Sequence, residues 1–444
     1  MTAVGPDILV TGATGFIGTA VLRELAGRGM GPRVRVLARR PVPGWMTQAG
    51  VTTWPGDLTD AASLAGLCTG ITTLLHLASQ VGGDPARCRA VNEGGTAKLL
   101  AEARRAGTEK VLYLSTCAVY RDGVHRGAAV PGTGPAGDRG SRIRGSGPVG
   151  MRQGSGSGLV VDLGPSAGRS GSVVVRQRCG AAADLGPSTS RNRSPDERLP
   201  NGPEPSTGRN LAGEHRHVKP GVAVAPGGST GRSGSAGDTS TRRNEPSGER
   251  PRDPATTGAE LVTDPASPTS RSRLAGERLV LAAGGTVLRP HLVHGPGDRH
   301  VVPALVRWVR AVPAWAAGGV ARTSLVAVAD LAAAIAVLAL SPRLSRAGEV
   351  LHVADPRPVR MRRLVTAVCE LLDLPVPLAD LPLAEHHART RAALPSLTDH
   401  QYSLLTRDHW YDSDRIWHLT GVSPGPGFGP RLTEAADWYR ESLA

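Results

Sequence analysis

The stretch "DILVTGATGFIGTAVLRELAGRG", residues 7–29, constrains this chain more than any other. Residues 7–11 form a short apolar run that reads as a strand, and Gly12, Gly15 and Gly18 follow it at three-residue spacing. A helix is expected to begin near Phe16, with Ile17, Val21, Leu22 and Leu25 on one face and Gly27 and Gly29 closing it. A strand, a glycine turn and a helix in that order make a cradle for a dinucleotide's diphosphate. Gly12 permits the tight turn, Gly15 lets the backbone approach the phosphates, and Gly18 lets strand and helix pack closely. Thr14, Phe16 and Ile17 complete the loop and first helical turn and are counted with the cofactor site.

The second apolar run, "RVRVLARR", ends on Arg39 and Arg40. A site that prefers NAD places Asp or Glu there to hold the ribose hydroxyls, whereas guanidinium groups bind a 2′-phosphate in a bidentate way. NADP(H) is therefore the expected preference, with NAD(H) as the other option.

Composition divides the 444 residues into three regions. Residues 1–120 and 263–444 alternate apolar strands with amphipathic helices. Residues 121–262 are rich in Gly, Ser, Pro and Arg and contain no Phe, Trp or Tyr. So little bulky apolar surface does not offset the ~1–2 kcal/mol per residue that ordering a backbone costs, so this segment reads as a disordered insertion. It echoes itself, with "DLGPS" at 162–166 and 184–188, and "RNLAGEHR" at 209–216 resembling "RSRLAGER" at 271–278. A stretch translated out of frame between two sound halves is the other explanation. The formal net charge of +14 points at first to nucleic acid, but aromatics make up only 3% and no reading motif is present. The excess of Arg, Gly, Ala and Pro has the look of a GC-rich gene, and no nucleic-acid partner is expected.

The five cysteines are scattered and never spaced as Cys-x-x-Cys, which argues against a disulfide framework or zinc site. Neither a signal peptide nor a run of ~18 apolar residues is read, so a cytoplasmic protein without a membrane partner is expected. "LAAAIAVLALSP" is too short to span a bilayer and reads as a buried helix; "EVLHVADPRPVRMRRLVTAVCELL" reads as strand, turn and helix. His386 and His387 are adjacent on a helix, point about 100° apart, and read as a solvated face with no metal.

The ordered series "TGATGFIG", "GDLTD" (56–60), "LLHLAS" (74–79), "VNEGGTAKLL" (91–100), "VLYLSTCAVY" (111–120), "VLRPHLVHGPGD" (287–298) and "SLVAVADLAAAI" (324–335) resembles the extended short-chain dehydrogenase/reductase family. This is the NAD(P)-dependent epimerase/dehydratase group that acts on nucleotide sugars. The likeness skips the central segment. It implies an α/β fold, a Rossmann-like doubly wound parallel sheet with a smaller C-terminal α/β portion for substrate. By matched position it implies that Asp57 and Leu58 flank the adenine. Leu77, Ala78 and Ser79 would run beside phosphates and ribose, and Asn92 would order the neighbouring strand. Arg289 and His291 would lie near the nicotinamide, and Thr116 would hydrogen-bond the substrate oxygen. Dimerisation through a helix pair is common in the family, which leaves a homodimer open.

In such enzymes a tyrosine and, four residues later, a lysine share one helix face and manage the proton. "SPTSRSRLAGERLV" (267–280) has Thr269 and Arg273 in those places, and no Tyr-x-x-x-Lys occurs anywhere in the chain. Arg273 keeps a cation but cannot shed a proton, and Thr269 is a far poorer acid than a tyrosine of pKa ~10. Tyr120 and His294 are the other protein groups weighed as proton sources. Ketone reduction, needing one hydride and one proton, is the least demanding chemistry for such a site. "LLHLASQVGGDP" and the tail "HWYDSDRIWHLTGVSPGPGF" resemble ketoreductases of deoxysugar pathways in antibiotic clusters. The expectation is thus an NADPH-dependent reductase of a nucleotide-activated keto-deoxysugar. An epimerase or dehydratase, and a dinucleotide-binding protein impaired in catalysis, stay open as alternatives.

Overall fold

The computed structural model describes residues 5–128, 261–341 and 347–443. The expected disordered insertion, its internal echoes and Cys179 lie outside the described residues, apart from the segment's two ends.

Strands β1 (Ile8–Thr11), β2 (Val34–Ala38), β3 (Thr52–Pro55), β4 (Thr73–His76), β5 (Lys110–Leu114) and β6 (His125–Ala128) come from the N-terminal part. Those of the C-terminal part begin with β7 (Thr286–Pro290), β8 (Leu292–His294), β9 (Ala314–Ala316), β10 (Arg322–Thr323) and β11 (Leu325–Ala327). They end with β12 (Val350–Val353), β13 (Val359–Arg360), β14 (Ala379–Leu381) and β15 (His409–Tyr411). Seven of them make one parallel sheet in the order β12-β7-β5-β4-β1-β2-β3. Order reverses direction on either side of β1, so the sheet is doubly wound, as the family likeness implies.

Both faces of that sheet are covered at its centre, which is why β1, β4 and β7 are buried at every position. Ile8 and Val10 of β1 pack to one side with Val36, Leu75 and the helices Phe16–Gly27 and Val328–Leu340. Leu9 packs to the other with Leu37, Leu74 and Leu99 of the helix Thr96–Arg105. The Val328–Leu340 helix is the expected buried one, and its small alanines let it lie against the Phe16–Gly27 helix. Among the described residues no helix is long and apolar enough to cross a membrane.

The two halves of the chain close directly on each other. β5 pairs with β7, and the Arg121 amide donates to the Val262 carbonyl at 2.9 Å. An antiparallel bridge joins Tyr120 to Thr263 beside an Arg121–Asp264 ion pair.

A smaller sheet, β13-β10-β15-β6, takes its strands from both halves. The strand, turn and helix read over 349–372 are β12, β13 and the helix Met361–Leu371. One reading needs correction. His386 is not solvated but fully buried, because its helix packs against β9. Its Nε2 lies 3.2 Å from the Ala314 carbonyl and its Nδ1 3.1 Å from the Tyr402 hydroxyl. His387 instead stays at the surface beside Asp399. Cys68, Cys88, Cys117 and Cys369 are buried and unpaired.

Candidate functional site

A cleft of about 280 Å³ opens at the C-terminal ends of β1, β2 and β4, where ligands bind in sheets of this kind. Gly12, Thr14 and Gly15 form its floor, Arg39, Asp57 and Leu58 one end, and Leu77, Ala78 and Ser79 a wall. Gly12 has φ +73°, and a side chain on it would meet the Ala78 amide nitrogen at 2.6 Å. A Cβ on Gly18 would overlap the Gly12 carbonyl oxygen, so helix and loop fit only without it. Gly15 is the N-cap of the Phe16–Gly27 helix in an extended conformation, and no side chain caps that helix, whose positive dipole end lies at the cleft floor that Gly15 helps form. Phe16, Ile17 and Gly18 lie behind the floor and do not line the cleft.

At the β2 end Arg39 lines the cleft and Arg40, though exposed, does not. Arg39 sits 3.7 Å from the Asp57 carboxylate. The Thr59 amide and hydroxyl both donate to Asp57 and hold its carboxyl below the usual range.

Thr116 follows β5 and caps a short turn, its hydroxyl accepting from the Ala118 amide at 3.2 Å. The helix Pro268–Ala282 brings the two substituted positions to this strand end. Arg273 points its guanidinium at the chain itself: Nη2 donates to the carbonyls of Leu114 at 2.9 Å and Ser115 at 2.8 Å. Burial lowers its pKa, and its Nε has no partner. Thr269 accepts the Gly82 amide at 3.1 Å. Asn92 is fully buried and does more than order one strand: it accepts from the Gln80 amide and donates to the Ser272 hydroxyl at 2.9 Å. It thereby ties the cleft wall to the Pro268–Ala282 helix.

Arg289 and His291 do not line the cleft. Arg289 is buried and committed, gripping Glu277 through Nε and Nη2 and donating from Nη1 to the Tyr120 hydroxyl at 2.7 Å. Burial opposes its charge, yet Glu277 outweighs that and raises its pKa. Tyr120 lies 2.6 Å from His352 Nε2, and burial raises its pKa too. His352 Nδ1 faces the Asp412 carbonyl, so it carries the proton and Nε2 accepts from the tyrosine. A tyrosine so enclosed ties β5 to β7 and β12. His294 is also buried, pushed down to about 4 by burial.

Sequence reasoning missed the layer over the ends of β5, β7 and β12. Tyr411 stacks on Tyr120 with ring centroids 5.7 Å apart, and His291 stacks on His409 at 6.0 Å. His125 approaches the Tyr411 hydroxyl at 2.8 Å. Period-two alternation in β6 and β15 puts His125, His409 and Tyr411 on one face, a signal visible only once those strands are known to pair. Among the described residues no cluster of His, Cys, Asp or Glu could hold a metal ion.

Residues 8–138 match the model of the NAD dependent epimerase/dehydratase family. Sterol demethylase protein B of Methylococcus capsulatus is 38% identical over 112 residues, 24% of this chain and 34% of that protein. A 3 beta-hydroxysteroid dehydrogenase/Delta 5-->4-isomerase of Mycobacterium tuberculosis is 35% identical over 125 residues, 26% of this chain and 33% of that protein. The chain thus spans about a third of the length of the curated relatives it matches.

Solved structures share the fold. DesIV, a dTDP-glucose 4,6-dehydratase from Streptomyces venezuelae with NAD and TYD bound, superimposes with a TM-score of 0.54 at 16% identity, covering 98% of this chain and 97% of that one. MoeE5 in complex with UDP-glucose and NAD gives 0.52 at 18%, covering 99% and 100%. A short-chain dehydrogenase/reductase superfamily protein from Agrobacterium tumefaciens with bound NAD gives 0.54 at 17%, covering 98% of each.

Proposed function

We propose that this chain is an NADPH-dependent reductase of a nucleotide-activated keto-deoxysugar, an NDP-4-keto-6-deoxyhexose. The observation that carries the reading is the cleft itself, where nine residues from four separate motifs meet. Its glycine floor and helix N-terminus suit a diphosphate, and Arg39 at its end suits a 2′-phosphate. The bound nucleotides and sugars of MoeE5 and DesIV support the substrate class. When bound, NADPH supplies the hydride. Thr116 at the end of β5 holds the carbonyl oxygen, and the layer above it keeps water away.

Proton delivery is the weak step in this chain, because Thr269 replaces the acid and Arg273 faces the backbone. General acid help is worth ~10²–10⁴-fold, so a slow reductase is the expectation. The test is incubation of the full chain with NADPH and TDP-4-keto-6-deoxyglucose, following absorbance at about 340 nm where reduced nicotinamide absorbs. Consumption above that seen with a 3-keto steroid supports the reading. Faster turnover with the steroid overturns the substrate class.

The committed geometry of Arg273 and Thr269 favours a second reading, a protein that binds the dinucleotide without turning it over. Saturable NADPH binding with no consumption on any keto substrate selects it.

A further inference from the structure

We infer that Thr269 is a positioning residue: its hydroxyl clamps the tip of the glycine loop that follows the cleft wall, and so sets the face this loop offers to a keto substrate. The clamp is independent of the reductase reading, and its effect on substrate rests on that reading.

The loop, residues 80–84, comes directly after Leu77, Ala78 and Ser79 of the wall. Both its ends are tied. Asn92 accepts from the Gln80 amide at 2.7 Å and donates to the Gln80 carbonyl at 3.0 Å. Asp84 caps the helix Pro85–Arg89 and accepts the amides of Ala86 and Arg87. Between these ends Gly82 and Gly83 take φ of +69° and +85°, the left-handed region that glycine tolerates. Nothing lies within 4 Å of where a Cβ on Gly82 would stand, so packing does not hold the tip. Its own peptide groups do. The Gly82 amide donates to Thr269 Oγ1 at 3.1 Å, and the Gly82 carbonyl accepts from Gln80 Nε2 at 3.1 Å and from Cys88 Sγ at 3.5 Å.

One helix holds both root and tip. The Ser272 hydroxyl accepts from Asn92 Nδ2 at 2.9 Å and donates to the Thr269 carbonyl at 2.8 Å. Arg273, one turn on from Thr269, reaches the Leu114 and Ser115 carbonyls, next to Thr116. The tip therefore lies near both the cleft wall and the end of β5, where Thr116 holds the carbonyl in the proposed reaction. Val81, 57% exposed, is the side chain that the tip turns outward. A loop ordered before the substrate arrives lowers the cost of binding, and Val81 gives it an apolar face for the unoxygenated carbon of a deoxysugar.

Hydrogen exchange of the full chain, read on residues 80–84, tests the clamp. Kinetics with NADPH and TDP-4-keto-6-deoxyglucose test its effect. Thr269→Val keeps the shape and loses the acceptor, whereas Thr269→Ser keeps the acceptor. The loop is expected to exchange about fivefold faster in Thr269→Val, as for one lost hydrogen bond, and at the wild-type rate in Thr269→Ser. KM for the sugar should rise several-fold in Thr269→Val, with a smaller change in kcat, and return in Thr269→Ser. Thr269→Tyr carries its oxygen too far out to reach Gly82 and should raise KM as well, whatever it does to kcat. Val81→Ser should raise KM without quickening exchange. Thr269→Ala removes the same acceptor should valine disturb the first helical turn. Wild-type exchange in both Thr269→Val and Thr269→Ala overturns the clamp. Faster exchange with an unmoved KM overturns its effect on substrate, and an unmoved KM in Val81→Ser overturns the apolar face. Wild type that turns over no keto sugar overturns the reductase reading alone, and exchange still decides the clamp.

Discussion

Gly15 and Gly18 lie three residues apart and do different work. A side chain at Gly15 meets only the Gly12 carbonyl, at 3.2 Å, and its backbone is one any residue adopts. Gly15→Val should therefore keep the fold, measured as Tm within a few degrees, while NADPH affinity falls at least tenfold. Gly18→Ala drives a methyl into the backbone and should lower Tm markedly. If both variants bind alike, the floor of the cleft has been misassigned. At Thr269 and Arg273 the loss runs the other way. Thr269→Tyr with Arg273→Lys is expected to raise kcat on a keto sugar by about 10², the lower end of general acid help. An unchanged kcat would show that the proton has another source. The glycines were legible in the sequence because their role is local. Arg289 was not: its partner Glu277 belongs to a neighbouring helix, and a buried ion pair looks like any other arginine until the helix is placed.

Elements bury histidines in numbers that composition does not reveal. His76 in β4 and His352 in β12 are pushed down to about 3, and His294 in β8 and His409 in β15 to about 4, burial being the first cause in each. All four are neutral in the fold near neutral pH, while an unfolded histidine titrates near about 6.5. Below that pH the unfolded chain takes up protons that the folded one refuses, so stability falls with pH from about 6.5 toward 4. Thermal melts from pH 7.5 to 5 should show Tm dropping before the carboxylates titrate; a flat Tm would mean these rings are hydrated. β1, β2 and β12 were readable as apolar runs. The pairing of β6 with β15 was not, since each is three or four residues long and 280 residues, 129–408, lie between them in the chain.

The whole molecule closes across a long detour in the chain. Tyr120 meets Thr263, and β5 meets β7, so the large sheet is complete among the described residues. Replacing residues 129–260 by a short Gly/Ser linker is expected to give a folded chain with NADPH affinity unchanged within about threefold. A chain that no longer folds would show that the sheet needs the intervening segment. The doubly wound order was anticipated from the family resemblance that the series of motifs carries, and not from any one stretch of the chain. The second sheet rests on long-range register that no short stretch encodes. All of this turns on whether the cleft at the ends of β1, β2 and β4 holds a pyridine nucleotide. Calorimetric titration of the full chain with NADPH and NADH, alongside Gly15→Val, measures that directly. Saturable binding that favours NADPH and fails in the variant is the predicted result, and a folded chain that binds neither coenzyme would contradict the account.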